Sequence, residues 1–263
     1  MEIIIFSLVG ALVGILSGLF GVGGGLIIVP ILMTSYIDQG LTSYVMPLAI
    51  GTSLGTIVFT SLSSIYAYNK KKYVSWNVFL LLLPGVIIGG LLGSLVASNL
   101  SDMFLKLLFG VFEIIVGLKF WFNTSVSSNH KVYLTRFLAY FSGLVISFLS
   151  TLLGIGGGTM SVPFFKWLGL SMHKSIATSA AVGFPIALFA TIGFISTGWN
   201  IPELPSNSIG FVNLNALLPI VFISMLFAPL GVFISHKISA HLLQKMFAIL
   251  LIVFGLRMLL SIF

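Results

Sequence analysis

Cysteine and charge are the two things this 263-residue sequence most lacks. Because cysteine is absent, disulfides, thiolate metal sites and cysteine nucleophiles are excluded. Charged residues make up 6% of the chain, whereas soluble domains carry roughly 25%. Hydrophobic residues make up 58%, so the composition indicates a protein that lies in lipid and not a water-soluble fold.

Acidic residues are fewer than basic residues, with 5 against 12, so the formal net charge is +7. The basic residues are scattered between apolar runs and form no basic face, so we expect no nucleic-acid partner. Loop charges that set the orientation in a membrane explain the excess better.

Eight hydrophobic segments follow one another, four before the polar stretch Asn123–Lys131 and four after it. Six of them are free of charge over more than the roughly 20 residues that a bilayer needs. We expect a multi-pass protein of the cell membrane, with the first segment retained because it lacks the features of a signal peptide. The segments are Ile3–Ile37, Gln39–Asn69, Tyr73–Ser101, Met103–Trp121, Phe137–Phe165, Ser175–Pro202, Leu204–His236 and His241–Phe263.

An internal repeat organises these segments into two halves. The pattern GxGGGxxxVP occurs at Gly21–Pro30 and again, without a gap, at Gly154–Pro163. Glycine alone is a weak signal in membrane helices, but further matches keep the same order in both halves. They are Gly51-Thr52-Ser53 with Ala177-Thr178-Ser179, Pro84 with Pro219, and Gly117-Leu118-Lys119 with Gly255-Leu256-Arg257.

The first segment is too long for one straight crossing. Ile3–Ile37 as a helix would extend about 52 Å, against a hydrocarbon core of about 30 Å. Consecutive glycines weaken a helix and permit unusual backbone angles, so we predict breaks at Gly23–Gly25 and Gly156–Gly158. Each first segment either crosses fully, which makes the halves parallel, or forms a re-entrant hairpin, which makes them inverted.

The loop charges favour the inverted arrangement over the parallel one, because basic residues of membrane proteins concentrate on the cytoplasmic side. With re-entrant hairpins, ten of the 12 basic residues fall on one side, and only Lys106 and Arg257 fall on the other. Glu2, Asp38, Asp102 and Glu203 also lie opposite the ten. Full crossing would split the ten, which are Lys70, Lys71, Lys72, Lys119, Lys131, Arg136, Lys166, Lys174, Lys237 and Lys245.

The predicted fold is therefore an all-α polytopic membrane protein of two inverted four-segment repeats. Each repeat begins with a re-entrant helix pair broken at glycine. The predicted units are a first repeat at 1–122, a cytoplasmic linker at 123–131 and a second repeat at 132–263, with both termini extracytoplasmic.

The glycine breaks are also the predicted binding site. A new helix that begins at Gly25 or Gly158 has unpaired N–H groups and the positive end of its dipole. Two such ends that meet from opposite faces suit a small anion. The competing interpretation is close helix packing, with hydroxyls bonded to their own helix. The candidate residues are Gly23, Gly24, Gly25, Gly156, Gly157, Gly158, Thr159, Thr52, Ser53, Thr178 and Ser179, with Ser17 and Ser150 near the breaks.

Glu113 is an acidic residue in the middle of a hydrophobic segment, where charge is expensive and a functional role is the usual hypothesis. It is the candidate for proton coupling, and its counterpart in the repeat is Leu251. A structural hydrogen bond inside the bundle is the alternative.

Enzymes of the membrane interior need a nucleophile with its base, paired aspartates or a histidine cluster, and the sequence offers none of these. We therefore expect no enzyme activity, no cofactor and no metal. A scaffold protein is disfavoured because long binding loops are missing, whereas a passive anion channel stays open.

The paired GxGGGxxxVP motifs, the Gly-Thr-Ser and Ala-Thr-Ser sequences and the eight-segment plan resemble the TauE/SafE family of sulfite and organosulfonate exporters. The resemblance covers nearly the whole chain. It implies a secondary transporter that exports a small anion such as sulfite, an organosulfonate or a related organic acid, coupled to protons or sodium. A homodimer is an open alternative to a monomer.

Overall fold

The computed structural model describes residues 2–21, 23–122, 134–235 and 237–262, and the predicted linker at 123–131 lies outside them. Helix dominates these residues, which confirms the predicted all-α fold. The helices are α1 (Glu2–Phe20), α2 (Gly25–Asp38), α3 (Val45–Asn69), α4 (Trp76–Ala97), α5 (Asp102–Phe122), α6 (Arg136–Leu152), α7 (Gly158–Trp167), α8 (Met172–Gly198), α9 (Leu214–Ser235) and α10 (Ala240–Leu260), and the strands β1 (Ser208–Ile209) and β2 (Val212–Asn213) form a short antiparallel hairpin before α9.

Five of these helices are long and apolar enough to cross a membrane, namely α3, α4, α8, α9 and α10. Helix α5 has 21 residues, but it carries Asp102, Lys106, Glu113 and Lys119. The other apolar helices, α1, α2 and α6, are shorter. The chain is thus a multi-pass membrane protein in which some helices do not span on their own.

Each predicted glycine break divides its segment into two helices, α1 and α2 in the first half and α6 and α7 in the second. The returning helices α2 and α7 have 14 and 10 residues, or about 21 and 15 Å, which is too short to cross. Two residues after the end of each helix lies a glycine of positive φ, Gly40 at 86° and Gly169 at 88°, the conformation that commonly terminates a helix. We call α1–α2 the first hairpin and α6–α7 the second hairpin.

The helix pairing is unchanged when the two halves are exchanged, that is, when α1 to α5 are replaced in order by α6 to α10 and the reverse. Helix α1 packs on α9 as α6 packs on α4, and α3 packs on α9 as α8 packs on α4. The pairs α3–α8 and α5–α10 map onto themselves. The repeat seen in the sequence therefore has a counterpart in the packing.

Contacts of the glycines give the helix directions. Gly10 and Gly18 of α1 lie against Ile220 and Ala228 of α9, so these two helices run parallel. Helices α4 and α6 are parallel in the same way, because Gly85 lies against Tyr140 and Gly93 against Phe148 and Thr151. The self-paired helices are antiparallel. In the α5–α10 pair Gly110 lies against Gly255 and Gly117 against Ala248, and in the α3–α8 pair Gly51 lies against Phe194 and Gly55 against Thr191.

The helix ends gather at two faces. At one face, a cavity is lined by the end of α2, the start of α3, Asp102 of α5 and the residues after α10, and a second cavity joins Ile5 of α1 to Asp38 of α2. At the other face, the ends of α7 and α5 meet the start of α10, where Lys166 Nζ donates to Gln244 Oε1 at 3.1 Å and Lys245 Nζ to the Trp121 carbonyl at 2.8 Å. The first hairpin therefore begins and ends at the first of these faces.

The second hairpin opens at the opposite face, because α7 ends there and α6 runs parallel to α4, which begins there. This is the arrangement that an inverted pair of halves requires. We call the first face acidic, since it holds Asp38, Asp102 and Glu203 with Lys106 and Arg257, and the second face basic. The basic face holds Lys70, Lys71, Lys72, Lys119, Arg136, Lys166, Lys174, Lys237 and Lys245.

Candidate functional site

The two hairpin tips share one backbone geometry. Gly24 and Gly157 are the residues that precede α2 and α7, and both lie in the left-handed region, with φ of 87° and 81°. A side chain is strained at such angles, which is a physical reason for glycine at both positions. The helices that follow begin at Gly25 and Gly158, the residues predicted from the sequence.

The first turn of each returning helix presents N–H groups into the bundle. In α2, the N–H groups of Ile27 and Ile28 donate to the Gly24 carbonyl, and in α7 those of Met160 and Ser161 donate to the Gly157 carbonyl. The N–H groups that precede these have no acceptor within their own helix and carry the positive end of the helix dipole. An anion is the complement of such an end.

The tips of the two hairpins touch each other. A Cβ atom on Gly25 would lie 2.1 Å from the Gly154 carbonyl oxygen and 2.9 Å from Cα of Ile155, which leaves room for glycine only. On its other side, Gly154 lies against Val29 and Ile50. The structure thus places Gly25, a predicted site residue, against Gly154 and Ile155, which directly precede the predicted Gly156–Gly158 of the other half.

Ser53 and Ser179, two of the predicted hydroxyl donors, bind the opposite hairpin. Ser53 Oγ of α3 donates to the Gly154 carbonyl at 2.9 Å, and Ser179 Oγ of α8 donates to the Gly21 carbonyl at 3.1 Å. These bonds are equivalent under exchange of the halves. Each serine therefore ties a central helix of one half to the hairpin tip of the other half.

The threonines beside them support helix starts. Thr52 Oγ1 accepts the Asn213 N–H at 2.9 Å just before α9, and Thr178 Oγ1 accepts the Ser75 N–H at 3.0 Å just before α4. The two bonds are again equivalent. Both threonine oxygens serve as acceptors here, which is a structural task that the sequence did not suggest.

Hydroxyl groups surround the second tip in particular. Ser161 Oγ donates to the Gly157 carbonyl at 2.7 Å and lies 2.6 Å from Ser179 Oγ. Ser150, Thr151 and Thr159 are fully buried, and their hydroxyl oxygens have no hydrogen-bond partner. Buried polar atoms are usually paired, so these three hydroxyls call for an explanation.

Glu113 lies apart from the tips, in the α5–α10 pair. Its side chain is fully buried, and neither carboxyl oxygen has a hydrogen-bond partner. A Cβ atom on Gly255 of α10 would lie 3.0 Å from Cβ of Glu113, so the carboxyl group sits between the two helices. The structural hydrogen bond considered as the alternative is not present in the described residues.

The sequence reasoning missed Ser161, Asn213 and Ser75. A signal for Ser161 was available, because the aligned repeats place Ile28 opposite Ser161 and Leu26 opposite Thr159. The polar residues of the second tip therefore stand out as the positions where the two halves differ. Asn213 and Ser75 carried no comparable signal, since they act through their backbone N–H groups.

In the described part of the chain, no group of three or more histidine, aspartate or glutamate side chains is placed to hold a metal ion.

Known proteins resemble this chain over nearly its full length. The model of the family "Sulfite exporter TauE/SafE" matches residues 6–258. A probable membrane transporter protein of Haemophilus influenzae is 32% identical over 98% of both chains, and one of Methanocaldococcus jannaschii is 31% identical over 96% of this chain and 94% of its own. A third, YunE of Bacillus subtilis, is 29% identical over 98% and 97%.

No solved structure matches the chain. The chain belongs to the TauE/SafE sulfite exporter family, whose curated relatives are described as probable membrane transporters.

Proposed function

We propose that this chain is a secondary transporter that exports a small anion, of the class of sulfite, an organosulfonate or a related organic acid, across the plasma membrane. The observation that carries the proposal is that both returning helices begin inside the bundle, α2 at Gly25 and α7 at Gly158, where the tips of their hairpins pack on each other. Such ends favour negative charge without a basic side chain. Neutral donors bind an anion without the strong ion pair that would slow its release.

Alternating access fits the hairpins because they open on opposite faces and close on each other at the tips. The bonds of Ser53 to Gly154 and of Ser179 to Gly21 are the contacts that would have to open in turn. A passive channel would need a continuous path past these tips. The direct packing of Gly25 on Gly154 favours a carrier instead.

Coupling to a proton is assigned to Glu113 in this proposal. A buried carboxyl without a partner is the kind of group that exchanges protons in membrane carriers. The basic face is taken as cytoplasmic, so both termini are extracytoplasmic.

Transport in proteoliposomes tests the proposal. The purified protein is reconstituted, and uptake of sulfite, methanesulfonate and small carboxylates is measured with imposed proton or sodium gradients. Accumulation of one of these anions against its own gradient supports a coupled carrier. Downhill movement alone indicates a channel, and no movement of any of them refutes the proposal.

A further inference from the structure

We infer that the oxygen atoms of the transported anion bind at the second hairpin tip alone, on the hydroxyls of Ser150 and Thr159 and the first N–H groups of α7. The inference rests on the proposed function and assigns the two hairpins different roles in anion binding. The first hairpin then closes the site without contacting the oxygens through side chains.

The two hydroxyls flank one helix end. Thr159 is the second residue of α7. The residue before this helix, Gly157, has the left-handed conformation. Ser150 Oγ lies 3.8 Å from the position of a Cβ atom on Gly157. Both side chains are fully buried and both oxygens are without a partner. A helix N-terminus with two unused hydroxyl donors beside it is suited to an oxyanion.

The first hairpin lacks these donors. Leu26 takes the place of Thr159 and Ile28 that of Ser161, while Ser17, the counterpart of Ser150, lies 3.5 Å from the Ser64 hydroxyl. A cavity of about 10 Å³ beside Gly24 is lined with Leu16, Phe20, Leu26, Ile27 and Leu250. Such a space is at the lower limit for one water molecule and offers no polar side chain to hold it.

The donor set indicates the chemistry of the ligand. Hydroxyl and N–H groups point to acceptor oxygens, and the only basic residue of α7, Lys166, lies in its last turn at the basic face. A helix end supplies roughly half of a positive charge. The site therefore suits a singly charged oxyanion, such as hydrogen sulfite or a sulfonate, better than a dianion, whose desolvation would call for a basic side chain.

Other unpartnered hydroxyls do not belong to this site. The Thr151 side chain packs on Gly93 of α4, and a methyl group of Thr191 in α8 packs toward Gly55 of α3. Thr191 Oγ1 is likewise without a partner. Because Thr191 shares the residue type and the unpaired state of Thr159, it provides a matched control.

The test compares Thr159→Val, Ser150→Ala and the control Thr191→Val in proteoliposomes. The half-saturating concentration is measured for methanesulfonate and for sulfite, with chloride as a competitor. Each tip variant should raise the half-saturating concentration about tenfold, the loss expected for a hydrogen bond to a charged group. Inhibition by chloride should strengthen correspondingly, whereas Thr191→Val should behave as wild type.

The outcomes separate the two proposals. If the wild type moves an anion and the tip variants match Thr191→Val in affinity, the division of the site is wrong and the transport function stands. If the wild type moves none of the anions, both the proposed transport function and the proposed binding site are refuted. Size-exclusion profiles of the variants in detergent, matched to wild type, establish that a change in affinity is not a loss of folding.

Discussion

The two hairpins have the same backbone and different side chains. Gly24 and Gly157 hold nearly the same left-handed angle, and Ser53 and Ser179 bind equivalent carbonyls across the halves. Beyond these shared features the first turn of α2 carries Leu26 and Ile28, where the first turn of α7 carries Thr159 and Ser161. The backbone of the tips and their cross-half hydrogen bonds are thus common to both halves, while the two hydroxyls in the first helix turn belong to the second half alone.

This difference separates two requirements that a single hairpin would combine. Close approach of the tips needs glycine, whatever the substrate. Recognition of an anion needs donors, which one tip is able to supply. Substitutions at shared positions should therefore affect both halves alike, and substitutions at divergent positions should affect only the second.

The largest effect is expected for Gly25→Ala. Its methyl group would lie 2.1 Å from a backbone oxygen of the other hairpin, and backbone moves far less readily than a side-chain end. We expect destabilisation of about 3 kcal/mol or more and little monodisperse protein in detergent.

Gly40→Ala is the control for that substitution. Gly40 has a φ of 86°, but nothing lies within 4 Å of a Cβ atom there. It should lose only the conformational preference, about 1–2 kcal/mol. Equal yields and unfolding midpoints for the two variants would contradict the tight contact of the tips.

The next largest effects are expected for Gly24→Val and Gly157→Val, and both variants should lose anion transport. Both place a β-branched side chain at a positive φ, and its Cβ would lie 2.3 Å from Val13 Cγ1 or 2.6 Å from Ile186 Cδ1. Anion flux in proteoliposomes should be abolished in each, because Gly157→Val displaces the first N–H groups of α7 and Gly24→Val prevents the first hairpin from closing on the site. Retained flux at reduced folded yield would assign the glycines to packing alone.

The cross-half serines offer a graded comparison. Ser179 Oγ donates to the Gly21 carbonyl and also lies 2.6 Å from Ser161 Oγ, whereas Ser53 Oγ donates to the Gly154 carbonyl. Removal of a buried hydrogen bond costs about 1 kcal/mol. Both variants lose such a bond, and Ser179→Ala also loses the contact with Ser161, so it should lower the stability more than Ser53→Ala. Thermal unfolding in one detergent measures the order, and the reverse order would contradict the bonding described.

The smallest effect on folding is expected for Glu113→Gln, which keeps the shape of the side chain and removes its ionisable proton. Folded yield should be unchanged, while the pH dependence of transport should be lost. Glu203→Gln, at an exposed loop of the acidic face, is the matched control and should retain that dependence. Wild-type rate and pH dependence in the Glu113 variant would refute proton coupling at this residue.

Much of the fold followed from the sequence because membrane composition restricts it strongly. The breaks, the helix starts at Gly25 and Gly158 and the grouping of charged residues on two faces followed from length, glycine and loop charge. The packing partners did not, since pairing of α1 with α9 or of α4 with α6 depends on side-chain fit between segments far apart in the sequence.

Prediction of the site was less complete for a related reason. Repetition identified Thr52, Ser53, Thr178 and Ser179, but a hydroxyl serves equally as donor, acceptor or helix support. Which of these it does depends on neighbours such as Asn213 and Gly154, which only the fold brings close. The difference between Leu26 and Thr159 is visible in the aligned repeats. It becomes informative only in the structure, which shows that both side chains are buried at the helix starts.

Opposite entry of the two hairpins is directly accessible to cysteine labelling, because the sequence contains no cysteine of its own. Ser43→Cys lies after the first hairpin and Ser171→Cys after the second, both at exposed positions. A membrane-impermeant maleimide applied to intact cells should label Cys at 43 and reach Cys at 171 only after permeabilisation. Labelling of both positions from the same side would contradict entry of the two hairpins from opposite faces.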